Sequence, residues 1–296
     1  MGYSGPLSFR DSRAGVWVGE HRPELIDLRG IFTRLVELQP GENLPLPAWR
    51  QALPPDVHLV RLLGPRTALV HYPGAGIPNL VIKLSLPRPS STWRQLTARV
   101  QHSRAQRAYL WAHRLRAIGI ETPRPLGFVE RESAPTLHPS FVVSEYVYAP
   151  TLVELRDRGF ATADGRDFLA EKRTLVLRTA ELLRTLHAHG VFHGDLHGGN
   201  VLVTPDALML IDLESLRSLR LPGRAPLKNL VRLNRDFLDT RLITTTDRLR
   251  FLAHYARHQP DRRAVRRALF ERIHGATQSK LVERGEAFRS TLMEAS

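Results

Sequence analysis

The chain has 296 residues, with 43 Lys and Arg against 29 Asp and Glu, a formal charge of +14 and no cysteine. That length suffices for one large core or for two lobes around a cleft, and the lack of cysteine excludes disulfides, Cys-based zinc sites and thiol catalysis. No apolar run approaches the roughly 18 to 20 residues of a membrane span, and Met1–Glu20 lacks the apolar core of a secretory signal, so a cytoplasmic protein with anionic partners is expected.

Residues 1–55 mix Gly, Pro and charge with short apolar segments such as Val16–Val18 and Ile31–Val36. They are expected to form an accessory segment with disordered ends, and Pro40–Pro55 reads as a linker. From Val57 the pattern turns to β: Val57–Leu63, Thr67–Tyr72 and Leu80–Leu86 are apolar runs separated by turn residues. Lys83 interrupts the third run. A lysine there is costly unless its ammonium finds an anion, so it is either a clamp on phosphate oxygens or a solvent-facing lysine of an edge strand. Gly64 and the pair Gly74 and Gly76 are candidates for a backbone turn that approaches those phosphates.

Ser90–Ile118 predicts a helix with Leu96, Val100, Leu110, Trp111 and Leu115 on its apolar face and Gly119 as its stop. Pro123 and Pro125 hold the chain extended into a strand, Leu126–Glu130, and Phe141–Val147 follows as a strand leading into a connector. Thr151 is a candidate N-cap. Glu171–His189 is a long helix closed by Gly190, whose His187 and His189 are expected to be satisfied histidines rather than ligands.

The most informative stretch is His193-Gly-Asp-Leu-His-Gly-Gly-Asn200. A hairpin of Val201–Val203 and Leu208–Ile211 follows it and delivers Asp212 at its exit. Phosphoryl transfer needs a loop carboxylate to accept a hydroxyl proton, an amide oxygen five residues on for a metal, and a second carboxylate bridging metal to phosphates. Asp195, Asn200 and Asp212 meet these needs in order. Their hard oxygen donors suit Mg²⁺, and Glu214 is a further carboxylate near the metal. His193 is expected to brace the loop by hydrogen bonding, His197 to touch phosphate or shape the metal site, and Gly198 and Gly199 to relax the backbone ahead of Asn200.

Beyond Asp212, Asn229–Arg235, Thr246–Leu252 and Asp261–Ile273 read as helices with Arg on their polar faces. Leu216–Gly275 carries 15 Lys and Arg against 5 Asp and Glu, which suits a phosphorylated ligand or an anionic membrane face.

The loop resembles that of the protein-kinase-like superfamily. The resemblance implies an α+β, two-lobed fold: an N-lobe over 56–147 with an antiparallel sheet plus a helix, and a mainly helical C-lobe over 148–296. It also implies ATP, with adenine on backbone groups near Glu145 and Val147, phosphates near Gly64 and Lys83, and Mg²⁺ on Asn200 and Asp212. Protein kinases carry Arg and Phe-Gly where this chain has Gly194 and Leu213-Glu214, which points away from a conventional protein kinase. The helix after Lys83 has no Glu in the usual place, which Ala108 occupies, leaving Lys83 to the phosphates, Asp212 or Gln106. Gly119-Ile-Glu-Thr-Pro-Arg-Pro-Leu126, Asn229-Leu-Val-Arg-Leu and Arg248-Leu-Arg-Phe-Leu252 resemble the lipopolysaccharide kinase (Kdo/WaaP) family, although Asn229 replaces its usual Asp. That resemblance implies a Kdo or heptose hydroxyl as acceptor; the basic helices favour peripheral residence at the inner face of the cytoplasmic membrane, and nucleic acid is disfavoured as a partner. A small-molecule phosphotransferase of the aminoglycoside or choline kinase type, a non-catalytic kinase-like binding module, and a metal hydrolase built on His193, Asp195 and His197 are the competing readings.

Overall fold

In the computed structural model, seven segments pair into one wholly antiparallel sheet: β1 (Gly5–Arg10), β2 (Val16–His21), β3 (His58–Gly64), β4 (Thr67–His71), β5 (Asn79–Ser85), β6 (Pro125–Arg131) and β7 (Ser140–Glu145). Their order is β1-β2-β6-β7-β5-β4-β3. The residues described are 5–10, 16–21, 28–37, 46–64, 66–72, 79–87, 101–158, 168–219, 224–237 and 242–294. They fall into two compact units, one of Met1–Ala117, Thr122–Tyr148 and Asp212–Glu214, the other of Ile118–Glu121, Ala149–Ile211 and Ser215–Ser296.

In the first unit, β5 alternates from Asn79 to Leu84. Leu80, Ile82 and Leu84 are buried on one face, where they meet Phe32 and Leu35 of α1 (Arg29–Glu37) and Trp49 of α2 (Leu46–Ala52). The expected linker at Pro40–Pro55 therefore contains a helix, and its Trp49 is fully buried. A buried Trp is worth about 3–5 kcal/mol against Ala, enough to anchor a proline-flanked segment on the sheet. Residues 1–55 also supply two strands: β2 pairs with β6 through Trp17 and Arg131, and β1 covers its free edge.

Helix α3 (Arg104–Ala117) packs Ala105 and Tyr109 against Phe128 of β6. Its start is set by Ser103, whose hydroxyl accepts from the Gln106 amide at 3.1 Å while its own amide donates to Glu130 at 3.1 Å. Of the helix predicted over Ser90–Ile118, residues 90–100 lie outside the described residues. The two glycines expected to stop helices, Gly119 and Gly190, have φ of 77° and 66°, a left-handed conformation that glycine adopts freely. Gly74 and Gly76 lie outside the described residues.

The second unit is mainly helical. Thr151 and Glu154 form a reciprocal capping box on α4 (Leu152–Asp157), satisfying two orphan amides at the helix start. Helix α5 (Phe168–Ala188) leads to β8 (Val191–His193), the hairpin β9 (Val201–Val203) and β10 (Leu208–Leu210), and β11 (Leu216–Ser218), which pairs with β8. Then come α6 (Ala225–Arg235), α7 (Thr245–Tyr255) and α8 (Arg262–Glu294). No described helix is long and apolar enough to cross a membrane.

Candidate active site

Lys83 sits on β5 between β4 and β7, opposite Thr67 and Val142, so it is no edge-strand lysine. Its ammonium lies 2.5 Å from Asp212 Oδ1 and 2.9 Å from Glu214 Oε1. Burial works against that charge, but the Glu214 and Asp212 carboxylates outweigh it and hold Lys83 above the usual lysine range. Gln106 is not its partner. Glu214 also accepts from Ser85 Oγ at 3.2 Å and faces Arg104 of α3 at 3.9 Å. The carboxylate missing from the helix is thus supplied from the chain after Asp212, and the helix contributes a cation instead. Asp212 itself has φ of 58°, a sparsely populated conformation for a non-glycine residue, of the kind that clusters at functional sites.

The other predicted residues of the first unit are less concentrated. Gly64 ends β3 beside a register shift in the β3–β4 ladder. The Glu145 amide is committed to Arg124 O at 3.0 Å, and its carboxylate accepts from the Arg124 amide at 2.8 Å. Val147 lies just past β7.

In the second unit the loop after β8 is closely tied. His193 is fully buried; its Nδ1 accepts from the Asp195 amide and the Ser215 hydroxyl, each at 3.2 Å, and its Nε2 donates to Ile211 O at 3.3 Å. Those donors fix the proton on Nε2. Asp195 is exposed, while its carbonyl accepts from Asn200 Nδ2 at 2.9 Å. Asn200 is buried, so committing its amide nitrogen leaves Oδ1 as the oxygen available to a ligand. His197 caps the 3-10 turn Gly198–Asn200, its Nδ1 accepting from the Gly199 amide at 3.1 Å.

The glycines here act by closeness rather than by flexibility. Neither Gly198 nor Gly199 has positive φ, contrary to the relaxed backbone expected of them. A Cβ at Gly198 would stand 3.0 Å from Val153 Cγ2, and one at Gly199 would stand 2.9 Å from the His197 ring. At Gly194 a Cβ would lie 2.8 Å from Ser215 O, in the ribbon where the Gly194 amide donates to that oxygen. The position that carries Arg in protein kinases has no room for a side chain here.

His187 and His189 are satisfied, the first by Tyr255 and Asn229, the second by Thr185 O at 2.9 Å. With both His193 nitrogens occupied, the residues proposed for a metal hydrolase do not converge. Among the described residues no group of three His, Cys, Asp or Glu side chains is placed to hold a metal ion. The second unit also contains an apolar cavity of about 350 Å³, lined by Leu175, Leu233, Phe237, Phe251, Phe270 and Ile273 among others. None of the loop residues lines it. Sequence reasoning missed Ser85, Arg104, Ser215 and Asp236, whose polar roles rest on contacts distant in the chain.

A family model described as the lipopolysaccharide kinase (Kdo/WaaP) family matches residues 92–255, more than half of the chain. Two Escherichia coli proteins described as lipopolysaccharide core heptose(I) kinase WaaP, one from strain K12, are 31% and 32% identical to it over 93 residues, 31% of this chain and 34% of theirs. The match therefore spans about a third of those relatives. A solved structure of WaaP in complex with acyl carrier protein is similar in fold, with a TM-score of 0.55 and 23% identity over 75% of this chain and 88% of that one.

Proposed function

This chain belongs to the lipopolysaccharide kinase (Kdo/WaaP) family, and from that premise we propose that it transfers the γ-phosphoryl group of ATP to a sugar hydroxyl, Kdo or heptose, of a lipopolysaccharide core. The observation that carries the reading is the pairing of Lys83 with Asp212 at 2.5 Å. It joins a strand ammonium suited to phosphate oxygens with a carboxylate suited to a phosphate-bound metal. Asp195 accepts the proton of the acceptor hydroxyl as its oxygen forms the new bond to phosphorus and the bond to the ADP oxygen breaks. Lys83 orients the phosphates, Asn200 Oδ1 and Asp212 would hold Mg²⁺, and His193 braces the loop. Mg²⁺, when bound, neutralises charge on the phosphate oxygens. Both donors are hard oxygens, which fits that ion. Glu214, with one oxygen on Lys83 and the other on Ser85, serves Lys83 first.

The arginines of Leu216–Gly275, of which Arg262, Arg263, Arg267 and Arg272 are exposed on α8, suit a phosphorylated glycolipid and the anionic inner membrane face. A carrier-protein partner is a second reading: the structurally similar WaaP was solved with acyl carrier protein, and an acyl group is the part of such a partner suited to the apolar cavity of about 350 Å³. Intact-mass analysis of what co-purifies tests it.

The deciding experiment measures Mg²⁺-dependent ATP turnover with and without lipopolysaccharide core, beside Asp195→Ala and Asp212→Ala. Core-stimulated turnover lost in both variants is expected. Turnover satisfied by a soluble alcohol points to a small-molecule kinase, and nucleotide binding without turnover, unchanged in Asp195→Ala, to a binding module.

A further inference from the structure

Helix α6 carries Lys228, Arg232 and Arg235 at spacings of four and three, which stacks them along one face over about 10 Å. Lys228 is exposed and the two arginines are partly buried. Arg232 Nη1 and Arg235 Nε are shielded from solvent, yet among the described residues neither donates to an acceptor.

Other arginines of the same unit are partnered. Arg178 donates to Thr204 O, Arg184 to Glu181, Arg248 to Asn234 Oδ1 and Phe237 O, and Arg250 to Asp247. The acid next in sequence to Arg235 is Asp236, and its Oδ2 is turned to the Gly198 amide at 2.6 Å. Arg232 and Arg235 lie in the last turn of α6, where the negative end of the helix favours cations. That field supplies no acceptor for a shielded N–H, and a guanidinium N–H without one costs free energy unless a ligand provides it.

The place of the stripe narrows the ligand. Arg232 is three residues from Asn229, whose Nδ2 donates to His193 O at 2.6 Å, and four from Asp236. It therefore falls between the two points where α6 meets the loop that carries Asp195. The apolar cavity is lined from another side of the helix, by Leu230, Leu233 and Asn234. Cations beside the proposed proton acceptor suit an anion on the molecule that brings the hydroxyl, and planar guanidinium forks suit phosphate, which they bind bidentately. A membrane face is the poorer fit, because it draws on exposed cations such as Arg262 and Arg263 of α8.

We propose that Arg232 and Arg235, with Lys228 at the N-terminal end of the stripe, form a phosphate site on α6 that selects acceptors already carrying a phosphate group near the hydroxyl to be modified. The acceptor role rests on the kinase reading; the anion site does not. Arg232→Gln is expected to raise KM for lipid-free core oligosaccharide about tenfold or more, the loss of one charged hydrogen bond, while kcat at saturating acceptor changes less than about threefold. Arg232→Lys, which keeps the charge without the fork, should recover part of the loss. Wild type should show a similar rise on core oligosaccharide stripped of its phosphates, and Arg232→Gln should add nothing to it. Equal losses on intact and stripped core would overturn the proposal. So would an equal loss of affinity for phosphatidylglycerol vesicles, which would make the stripe a membrane contact.

Titration of the intact protein with inorganic pyrophosphate, followed through the Nε–H resonances of Arg232 and Arg235, is the readout independent of turnover. The Arg232→Lys and Arg235→Lys variants assign those resonances. Both should shift and saturate in wild type, and in Arg232→Gln the Arg235 resonance should need about tenfold more pyrophosphate. Resonances that stay still would end the proposal even in a protein that phosphorylates core. Saturating shifts in a protein that turned over no ATP would instead sink the kinase reading and leave the anion site standing.

Discussion

Among the described residues, Lys83 and Lys172 each hold a carboxylate at hydrogen-bond distance, and they serve different ends. Lys83 in the sheet unit contacts Asp212 at 2.5 Å with side chains 29% and 32% exposed. Lys172 on α5 contacts Asp247 at 2.8 Å with side chains 7% and 4% exposed, and it also donates to Leu242 O at 3.1 Å. Asp247 is further occupied by Arg250 at 2.8 Å and by the Thr244 cap. Burial opposes the charge of Asp247, yet Lys172 and Thr244 hold its carboxylate below the usual range. The pairing chemistry is shared; the difference is access. A partly exposed ammonium can exchange a carboxylate for a phosphate, whereas an enclosed, fully partnered pair joins α5 to α7.

The sharpest contrast is expected from Lys83→Met, which should reduce kcat/KM for ATP by about 10²–10³, the loss typical of removing one electrostatic stabiliser, while the denaturant midpoint moves little. Lys172→Met should do the opposite. Leaving Asp247 in the interior without its main partner costs about 3 kcal/mol in urea or thermal unfolding, and kcat should be unaffected at temperatures where the variant remains folded. If Lys172→Met instead lost turnover at full stability, the division between an open and an enclosed pair would not hold.

A smaller effect is expected from Glu214→Gln. It removes one charged hydrogen bond to Lys83, worth about 1.5–3 kcal/mol, so turnover should fall roughly tenfold to a hundredfold with no change in the Mg²⁺ concentration needed for half-maximal rate. A raised Mg²⁺ requirement would make Glu214 a metal ligand after all. Smallest is Glu181 on α5, which joins Arg184, His254 and Arg257 at the surface. The Arg184 hydrogen bond leads in lowering its pKa from 4.5 to about 2. A carboxylate whose folded pKa is depressed stabilises above its unfolded value, and that contribution disappears as pH falls through the folded one. Melting curves of wild type and Glu181→Gln should therefore differ most above pH 4.5 and converge as pH falls to about 2, with the gap shrinking in salt.

Much of the fold was legible because its signals are local. The strands from β3 to β7 fall within about a residue or two of the apolar runs, since alternation and turn residues act over a few positions. Gly119 and Gly190 close their helices with positive φ, and Thr151 caps α4. The helix inside Pro40–Pro55 was not legible, because prolines flanking Trp49 outweigh a short helical pattern until the sheet supplies a surface to bury the indole. In the loop, Asp195, Asn200 and Asp212 could be named from spacing and chemistry. Their surroundings could not: Gly194 is needed because Ser215, just ahead of β11, returns to within contact of it, and Asp236 reaches Gly198 across 38 residues.

From the order of its residues alone the loop His193–Asn200, a lysine within a strand and a basic C-terminal region could be read, because each rests on neighbours in the chain. Which carboxylates meet Lys83, 129 positions from Asp212, and which polar atoms hold the loop were settled by folding. Those pairings depend on strands and helices that close long loops before any contact forms, and nothing in the local pattern specifies that closure.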